Sequence, residues 1–135
     1  MEMLLFLIIS LILPILMVVF GIANNNGWPK KVNGSYGYRT SMSKKNQDTW
    51  AFAHSYFGKL LVPVGTILLL LSIGAAFIAA RGTFVFVDAD PLLDSVIAGV
   101  IAFGVQLIIF FVLIFLTEKA LRKEFHSNGE RRQKE

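Results

Sequence analysis

Three long apolar tracts dominate the pattern of hydrophobic and polar positions along this chain. They cover residues 3–22, 60–80 and 95–116 and contain few polar side chains. A helix of about 20 apolar residues, rising about 1.5 Å per residue, crosses the roughly 30 Å hydrocarbon core of a bilayer. The pattern therefore predicts an all-α membrane protein with three transmembrane helices, organised as a single membrane domain over residues 1–135.

The first tract contains Pro14 at its middle, where proline removes one backbone hydrogen bond. Transmembrane helices accept such a defect when groups on neighbouring helices bond the freed carbonyl. The residues Gly21-Ile22-Ala23 also resemble a signal-peptidase cleavage site, so a cleaved signal peptide is the alternative to a retained span. Glu2 and the absence of a cation before the tract favour retention.

Segment 24–59 joins the first two tracts and begins with turn-forming residues. Residues 36–60 form the longest run in which polar, aromatic and small residues mix without a continuous apolar tract. A helical pattern starts near Asn46, which is suited, like Ser43, to cap the helix. The side chains that share one face of this helix recur at i, i+3, i+4 and i+7: Trp50, Ala53, His54 and Phe57. The pattern predicts a loop followed by a juxtamembrane amphipathic helix. Whether this helix lies on the membrane or continues into the second span is open.

The second and third spans each carry a stripe of small residues. In the second these are Ser72, Ala75, Ala76 and Ala79, and in the third they are Ser95, Ala98, Gly99 and Ala102, in register with Gln106. In an antiparallel hairpin connected by residues 81–94, the two stripes lie at the same depth and predict close helix packing. Gln106 is expected to form a hydrogen bond across this contact, worth about 0.6 kcal/mol. We interpret this bond as stabilising the helix packing rather than as contacting a ligand.

Residues on both sides of the third span predict where its helix begins and ends. Asp90 followed by Pro91 predicts a helix start, with the aspartate as cap and proline in the first position. After residue 116 the chain becomes a basic tail over 117–135. A short amphipathic extension is expected up to Phe125, Asn128-Gly129 ends it, and residues 130–135 are expected to be disordered.

Composition supports the membrane assignment and excludes several classes of protein. The chain is 55% hydrophobic and its mean hydropathy is +0.63, which a soluble core of this size does not require. The net charge of +4 comes from cations that flank apolar spans, so we expect no nucleic-acid partner. The chain has no cysteine, which excludes disulfides, thiolate metal sites and cysteine catalysis.

The distribution of cations predicts the orientation. With three spans, twelve of the 13 lysines and arginines lie on the side of the 24–59 loop and the C-terminal tail, and Arg81 lies on the other. By the positive-inside rule, the loop and the tail are cytoplasmic and the N-terminus is outside, in a multi-pass protein of the cell membrane. Anionic headgroups would attract the cytoplasmic cations by about 1 kcal/mol each.

Catalytic chemistry has little support. The two histidines, His54 and His126, belong to no Ser-His-Asp pattern or His-x-x-x-His pair. Three aspartates at positions 88, 90 and 94 lack the glycine and terminal glutamate of a calcium loop. The sequence therefore predicts neither an enzyme, nor a metal site, nor a cofactor. We interpret His54 as an interfacial or hydrogen-bonded helix residue rather than a titrating switch.

Arg39 is the most distinctive cation, because it lies between Tyr38 and Thr40 behind two glycines. Its planar fork can bind a lipid phosphate or a carboxylate bidentately, with Tyr36 or Tyr38 stacked on it. The alternative is an arginine that only marks the cytoplasmic side. Residue chemistry alone does not separate these two interpretations.

The central segment contains Gly37-Tyr38-Arg39-Thr40, then Ser43, Lys44 and Asn46, then Trp50, Ala53 and Phe57-Gly58-Lys59. In these residues it resembles the SdpI/YfhL family of small bacterial membrane proteins. The resemblance implies a role like that of named members, which protect the producing cell against a secreted toxic peptide and can signal through a cytoplasmic regulator. The positions that match the family pattern, and that it marks as binding residues, are Gly37, Tyr38, Arg39, Thr40, Trp50, Ala53 and Gly58.

Two functional hypotheses follow. One is an immunity protein that captures or excludes a toxic peptide at the membrane, with segment 37–40 and Trp50, next to His54, as its binding surface. The other is a membrane-anchored binding or signalling module that docks a cytoplasmic or membrane partner on the same loop and the basic tail. Longer immunity members resemble this unit preceded by further spans. Transport is disfavoured unless the chain forms a homo-oligomer, because Gln106 is the only strongly polar side chain expected inside the bundle.

Overall fold

The computed structural model describes residues 2–79 and 90–133, and the side chains of residues 4–78 and 90–133. These residues form three helices: α1 (Glu2–Asn25), α2 (Gln47–Ala79) and α3 (Pro91–Glu124). Each helix is long and apolar enough to cross a membrane. The predicted all-α fold with three transmembrane helices is confirmed.

Several predicted features fall outside the described residues. These are Ala80, Arg81 and Asp88 in the region joining the second and third spans, the side chain of Ala79, and the last two residues of the tail, Lys134 and Glu135.

The starts of α2 and α3 follow their capping residues. Asn46 and Thr49 cap α2 reciprocally: the Thr49 N–H donates to Asn46 Oδ1 at 2.9 Å, and the Asn46 N–H donates to Thr49 Oγ1 at 3.1 Å. Asp90 Oδ1 accepts from the N–H groups of Leu92 and Leu93 at 3.0 and 3.3 Å. Both predicted helix starts are confirmed.

Helix α2 settles the question that the sequence left open. Its 33 residues run without interruption through the juxtamembrane segment and the second span, with Pro63 inside the helix. At about 1.5 Å per residue it is about 50 Å long, more than the roughly 30 Å hydrocarbon core. The amphipathic segment and the second span are therefore one helix. The 34 residues of α3 likewise include the extension after the third span.

The expectation of disorder from residue 130 is wrong as far as Gln133. Phe125 and Arg131 form an antiparallel β-bridge, and the Arg132 N–H donates to the Glu124 carbonyl at 2.9 Å. The turn between them passes through Gly129 at a φ of 93°, which glycine adopts without strain. We call the folded-back segment 125–133 the hook.

The chain divides into two compact units. The first unit comprises Met1–Val18 and Pro63–Phe110, and the second comprises Val19–Val62 and Phe111–Glu135. All three helices contribute to each unit.

The first unit contains one buried polar cluster, which satisfies the carbonyl that Pro14 leaves free. Proline at position 14 cannot donate to the carbonyl of Ser10, four residues earlier. This carbonyl instead accepts from Gln106 Nε2 at 2.9 Å and from Ser72 Oγ at 3.3 Å. The second hydrogen of the Gln106 amide points to Ser72 Oγ at 3.0 Å. Side chains from α2 and α3 therefore repair the defect in α1.

Glycines bring the helices of the first unit close together. A Cβ on Gly99 would lie 3.2 Å from the Ile9 side chain, and one on Gly65 would lie 2.9 Å from the Met17 side chain. Both contacts are made with α1. Of the other small residues in the predicted stripes, Ala76 is buried, whereas Ala98 and Ala102 are half-buried. Gly99 therefore packs against α1. Ser72 of α2 forms a hydrogen bond with Gln106 of α3.

Candidate functional site

The motif residues lie in the second unit, where Tyr38 is the centre of a hydrogen-bond network. Its backbone N–H donates to His54 Nε2 at 2.8 Å, and its carbonyl accepts from Ser43 Oγ at 2.8 Å. Its hydroxyl donates to the carbonyl of Ile114 in α3 at 3.0 Å. The buried ring packs against Phe57 with a centroid distance of 4.9 Å. Tyr38 therefore ties the loop to both α2 and α3.

The Tyr38 hydroxyl is held in its neutral, donating form. Burial raises the pKa of this phenol well above its usual range, and the negative charge of Glu118 raises it further. A neutral phenol can donate to a backbone carbonyl, whereas a phenolate can only accept. Tyr38 is thus a structural anchor at all physiological pH values.

Trp50 is the second anchor of the loop. Its side chain is fully buried at 0% exposure, and its indole Nε1 donates to the Pro29 carbonyl at 2.7 Å. The Trp50 ring also contacts the His54 ring, with centroids 4.3 Å apart. Trp50 thus holds the beginning of the loop against α2.

Both ring nitrogens of His54 are used. Nε2 accepts the Tyr38 N–H, so Nδ1 carries the proton and donates to the Trp50 carbonyl at 2.8 Å. This assignment follows from the hydrogen-bond network. The geometry places His54 as a hydrogen-bonded helix residue, in the neutral tautomer that accepts one backbone donor.

Gly37 lies where the loop leaves no room for a side chain beside His54. Its φ is 103°, in the left-handed region that side chains rarely adopt. A Cβ here would lie 2.5 Å from His54 Nε2 and 2.9 Å from the Pro29 side chain. Only glycine therefore fits without displacing the histidine from its bond with Tyr38.

Thr40 and Ser43 close the turn that follows Arg39. The Thr40 N–H donates to Ser43 Oγ at 2.9 Å, and the Ser43 N–H donates to Thr40 Oγ1 at 3.1 Å. Because Ser43 Oγ also donates to the Tyr38 carbonyl, this turn is attached to the same network. Hydrogen bonds therefore fix the backbone on both sides of Arg39.

Ala53 and Gly58 are both buried in α2, and Gly58 contacts α1. Ala53 is fully buried. A Cβ on Gly58 would lie 2.8 Å from Asn25 Oδ1 and 2.9 Å from the Gly21 carbonyl oxygen. The two helices approach closely here because Gly58 has no side chain.

Arg39 differs from its neighbours because its side chain is exposed. Among the residues that the structure describes, none pairs with its guanidinium through a hydrogen bond or an ion pair. The expected stacking of a tyrosine on Arg39 is wrong. The Tyr36 ring stacks on Trp28 instead, with centroids 5.0 Å apart and planes inclined by 8°, and Tyr38 faces Phe57.

The hook is the part of the site that the sequence interpretation missed. Arg131 binds Asp48 bidentately, with Nε–Oδ2 and Nη2–Oδ1 distances of 3.1 and 2.9 Å. The Gly129 carbonyl accepts from Asn46 Nδ2 at 2.7 Å. The dipeptide Asn128-Gly129 is a signal for a tight turn between two pairing segments. From the sequence, this dipeptide was expected only to end the helical extension.

The arrangement is suited to binding. Within residues 2–79 and 90–133, no three histidine, aspartate or glutamate side chains come together in a way that could hold a metal ion. Trp50, Ala53, His54 and Gly58 are buried, so they contribute by positioning the loop. Among the predicted binding residues, Arg39 carries an exposed charged group that a ligand can reach.

The chain is similar to known proteins. A family model described as the SdpI/YfhL protein family matches residues 30–117, a range that includes His54 and the seven positions that match the family pattern. A protein of Bacillus subtilis (strain 168), "Uncharacterized protein YfhL", is 30% identical over 114 residues, covering 84% of this chain and 86% of that protein. No solved structure matches the chain.

Proposed function

The chain belongs to the SdpI/YfhL family, and we propose that it is an SdpI-type immunity protein, which protects a bacterial cell against a secreted toxic peptide. It is a multi-pass membrane protein, and the proposed activity is binding at the membrane rather than catalysis. One observation carries the proposal: the buried anchors Tyr38 and Trp50 hold a loop from which the Arg39 side chain is exposed, and no residue that the structure describes pairs with its guanidinium.

The scaffold supplies the preorganisation that a binding site needs. Tyr38 is anchored to His54, Ser43 and Ile114, and Thr40 is anchored to Ser43. The backbone on both sides of Arg39 is therefore ordered before a ligand arrives, which lowers the entropy lost on binding. The unpaired guanidinium can bind a carboxylate of an amphipathic peptide through two parallel hydrogen bonds.

We further propose the orientation that the cations predict, with the 24–59 loop and the C-terminus cytoplasmic and the N-terminus outside. A toxic peptide would then meet Arg39 from the cytosolic side or within the bilayer. The chain has no cysteine, so single cysteines at Ser41 and Ala89 test this with a membrane-impermeant maleimide on intact cells. Labelling at Ser41 but not at Ala89 would reverse the proposed orientation.

The test of function compares Arg39→Ala with Lys31→Ala in cells challenged with the secreted peptide against which named family members protect. Lys31 is exposed in the same 24–59 segment and is not one of the residues that carry the family resemblance, so its loss changes net charge equally. We expect Arg39→Ala to abolish protection, Lys31→Ala to retain it, and Arg39→Lys to restore it only in part, because lysine lacks the planar fork. Full protection by Arg39→Ala at matched membrane levels would refute the assignment.

A second candidate function is a membrane-anchored module that docks a cytoplasmic regulator. It is favoured by the hook, because Arg131 joins the basic tail to Asp48 at the start of the motif helix. The tail and the loop thereby offer one surface to a partner protein or a second copy of the chain. A partner that copurifies with the unmodified chain and is lost with Arg39→Ala, without any effect on peptide resistance, would support this alternative.

A further inference from the structure

A polar groove of about 340 Å³ lies in the second unit, and Arg39 is not among the residues that line it. Three cations line it, Lys45 from the loop, Arg122 from the last turn of α3 and Arg132 from the hook. Ser41 and Ser127 add two hydroxyl groups. The groove thus gathers positive charge and hydrogen-bond donors from three separate parts of the chain.

Two of the side chains that line this groove are buried. Met42 and Phe125 are 6% and 1% exposed, so this part of the lining is firmly packed. The hook wall is held by the Arg132 N–H bond to the Glu124 carbonyl at 2.9 Å. A concave surface of this kind fixes donors in position, which a loose basic tail does not.

The charges of the groove are largely uncompensated. No carboxylate lines it, and the nearby acids Asp48 and Glu124 are both bound by Arg131. Arg122 has one contact of 3.4 Å with Glu118, and its side chain is 71% exposed. In the described part of the chain, no carboxylate pairs with Lys45 or Arg132.

We propose that this groove is a binding site for a phosphate group. Arginine forks match the oxygens of a phosphate, lysine adds a point charge, and the serine hydroxyls donate further hydrogen bonds. The volume is in the range of small-molecule sites, about 300–1,000 Å³. The phosphate belongs either to an anionic lipid headgroup or to a soluble phosphorylated molecule.

Binding at this site would also stabilise the hook. Arg132 and Ser127 belong to the hook, whereas Lys45 precedes the cap of α2 and Arg122 belongs to α3. A ligand that bridges them binds only the folded-back arrangement and therefore shifts the equilibrium toward it. The site is independent of the proposed immunity function, because it includes none of the motif residues from Gly37 to Thr40.

The experiment uses the full chain purified in a neutral detergent. Native mass spectrometry measures retention of phosphatidylglycerol against phosphatidylcholine, and equilibrium dialysis measures binding of inorganic phosphate. We expect Lys45→Gln and Arg132→Gln each to weaken binding about tenfold, the effect of one lost charge-assisted hydrogen bond. The control Lys31→Gln removes an exposed cation outside the groove and is expected to leave binding unchanged.

The outcomes separate the two sources. Preferential retention of phosphatidylglycerol without phosphate binding identifies a lipid site, and saturable phosphate binding that competes with the lipid identifies a site for soluble ligands. Ser127→Ala, which leaves the charge unchanged, should weaken binding in either case. The proposal is overturned if neither probe binds, or if Lys31→Gln reduces binding as much as the groove variants, which would indicate attraction to net charge alone.

Discussion

The two units of this chain use buried polar groups for different purposes. In the first unit, the side chains of Ser72 and Gln106 satisfy a single backbone carbonyl, that of Ser10. In the second unit, Tyr38 and Trp50 donate to backbone carbonyls distant in sequence and thereby hold a loop that has no regular structure. The first arrangement bonds a backbone carbonyl that Pro14 leaves free, and the second fixes the conformation of a loop.

This difference shows where the sequence is sensitive to change. Polar side chains between transmembrane helices contribute little energy on average, because the unfolded chain in the membrane also finds partners. Large buried side chains that fill a loop core contribute both packing and hydrogen bonds. We therefore expect substitution of a large buried anchor in the second unit to cost more than substitution of a buried polar side chain in the first.

The largest effect is expected for Trp50→Ala. The substitution removes a fully buried indole and its bond to the Pro29 carbonyl, so the free energy of unfolding should fall by about 3–5 kcal/mol. Denaturant titration of the purified protein in detergent, followed by circular dichroism, measures this loss.

Trp28→Ala is the matched control for Trp50→Ala. Trp28 is 39% exposed and stacks on Tyr36, so its removal should cost about 1 kcal/mol or less. Equal losses for the two tryptophans would contradict the view that the second unit is organised around Trp50.

A smaller effect is expected for Gln106→Leu in the first unit. The change removes the hydrogen bonds to Ser10 and Ser72, and we expect a loss of about 0.6 kcal/mol. The buried Oε1 of Gln106 has no partner in the described part of the chain, and its removal reduces the cost further. The measurement is the same denaturant titration.

A double-mutant cycle with Pro14→Ala shows whether Gln106 acts on the proline defect. Alanine at position 14 restores an N–H that can donate to the Ser10 carbonyl. Gln106→Leu should therefore cost less in the Pro14→Ala background than in the unmodified chain. An unchanged cost would mean that Gln106 stabilises the helix contact independently of Pro14.

Much of the fold was predictable from local sequence signals. The three apolar tracts gave the helices, and Asn46 and Asp90 gave two of their starts, because capping depends on neighbouring residues alone. Pro14 indicated a free carbonyl, and Gln106 was expected to bond across helices. That Gln106 also donates to the Ser10 carbonyl depends on how the three helices pack against one another. The periodicity of the sequence does not specify that packing.

The candidate site was predictable as a set of residues but not as an arrangement. The motif pattern identified Tyr38, Arg39 and Trp50, yet it did not separate the buried anchors from the exposed cation. That separation depends on contacts such as the Tyr38 bond to Ile114, 76 positions apart in the chain. The hook was missed because charged composition was interpreted as disorder, whereas Arg131 pairs with Asp48.

The smallest effect on stability is expected for Arg131→Gln, which tests how the hook is held. The side chains of Arg131 and Asp48 are about half exposed, at 49% and 53%, so we expect no resolvable shift in the global unfolding midpoint. The local effect is larger, because the Arg131 side chain bonds the hook to Asp48 at the start of α2. Hydrogen exchange should accelerate at the amides of His126 and Arg132, which bond within the hook and to Glu124.

Arg122→Gln removes a similarly exposed pair with Glu118 and should leave these amides unchanged. Exchange that stays slow in Arg131→Gln would mean that the β-bridge and the Asn46–Gly129 bond hold the hook without the ion pair.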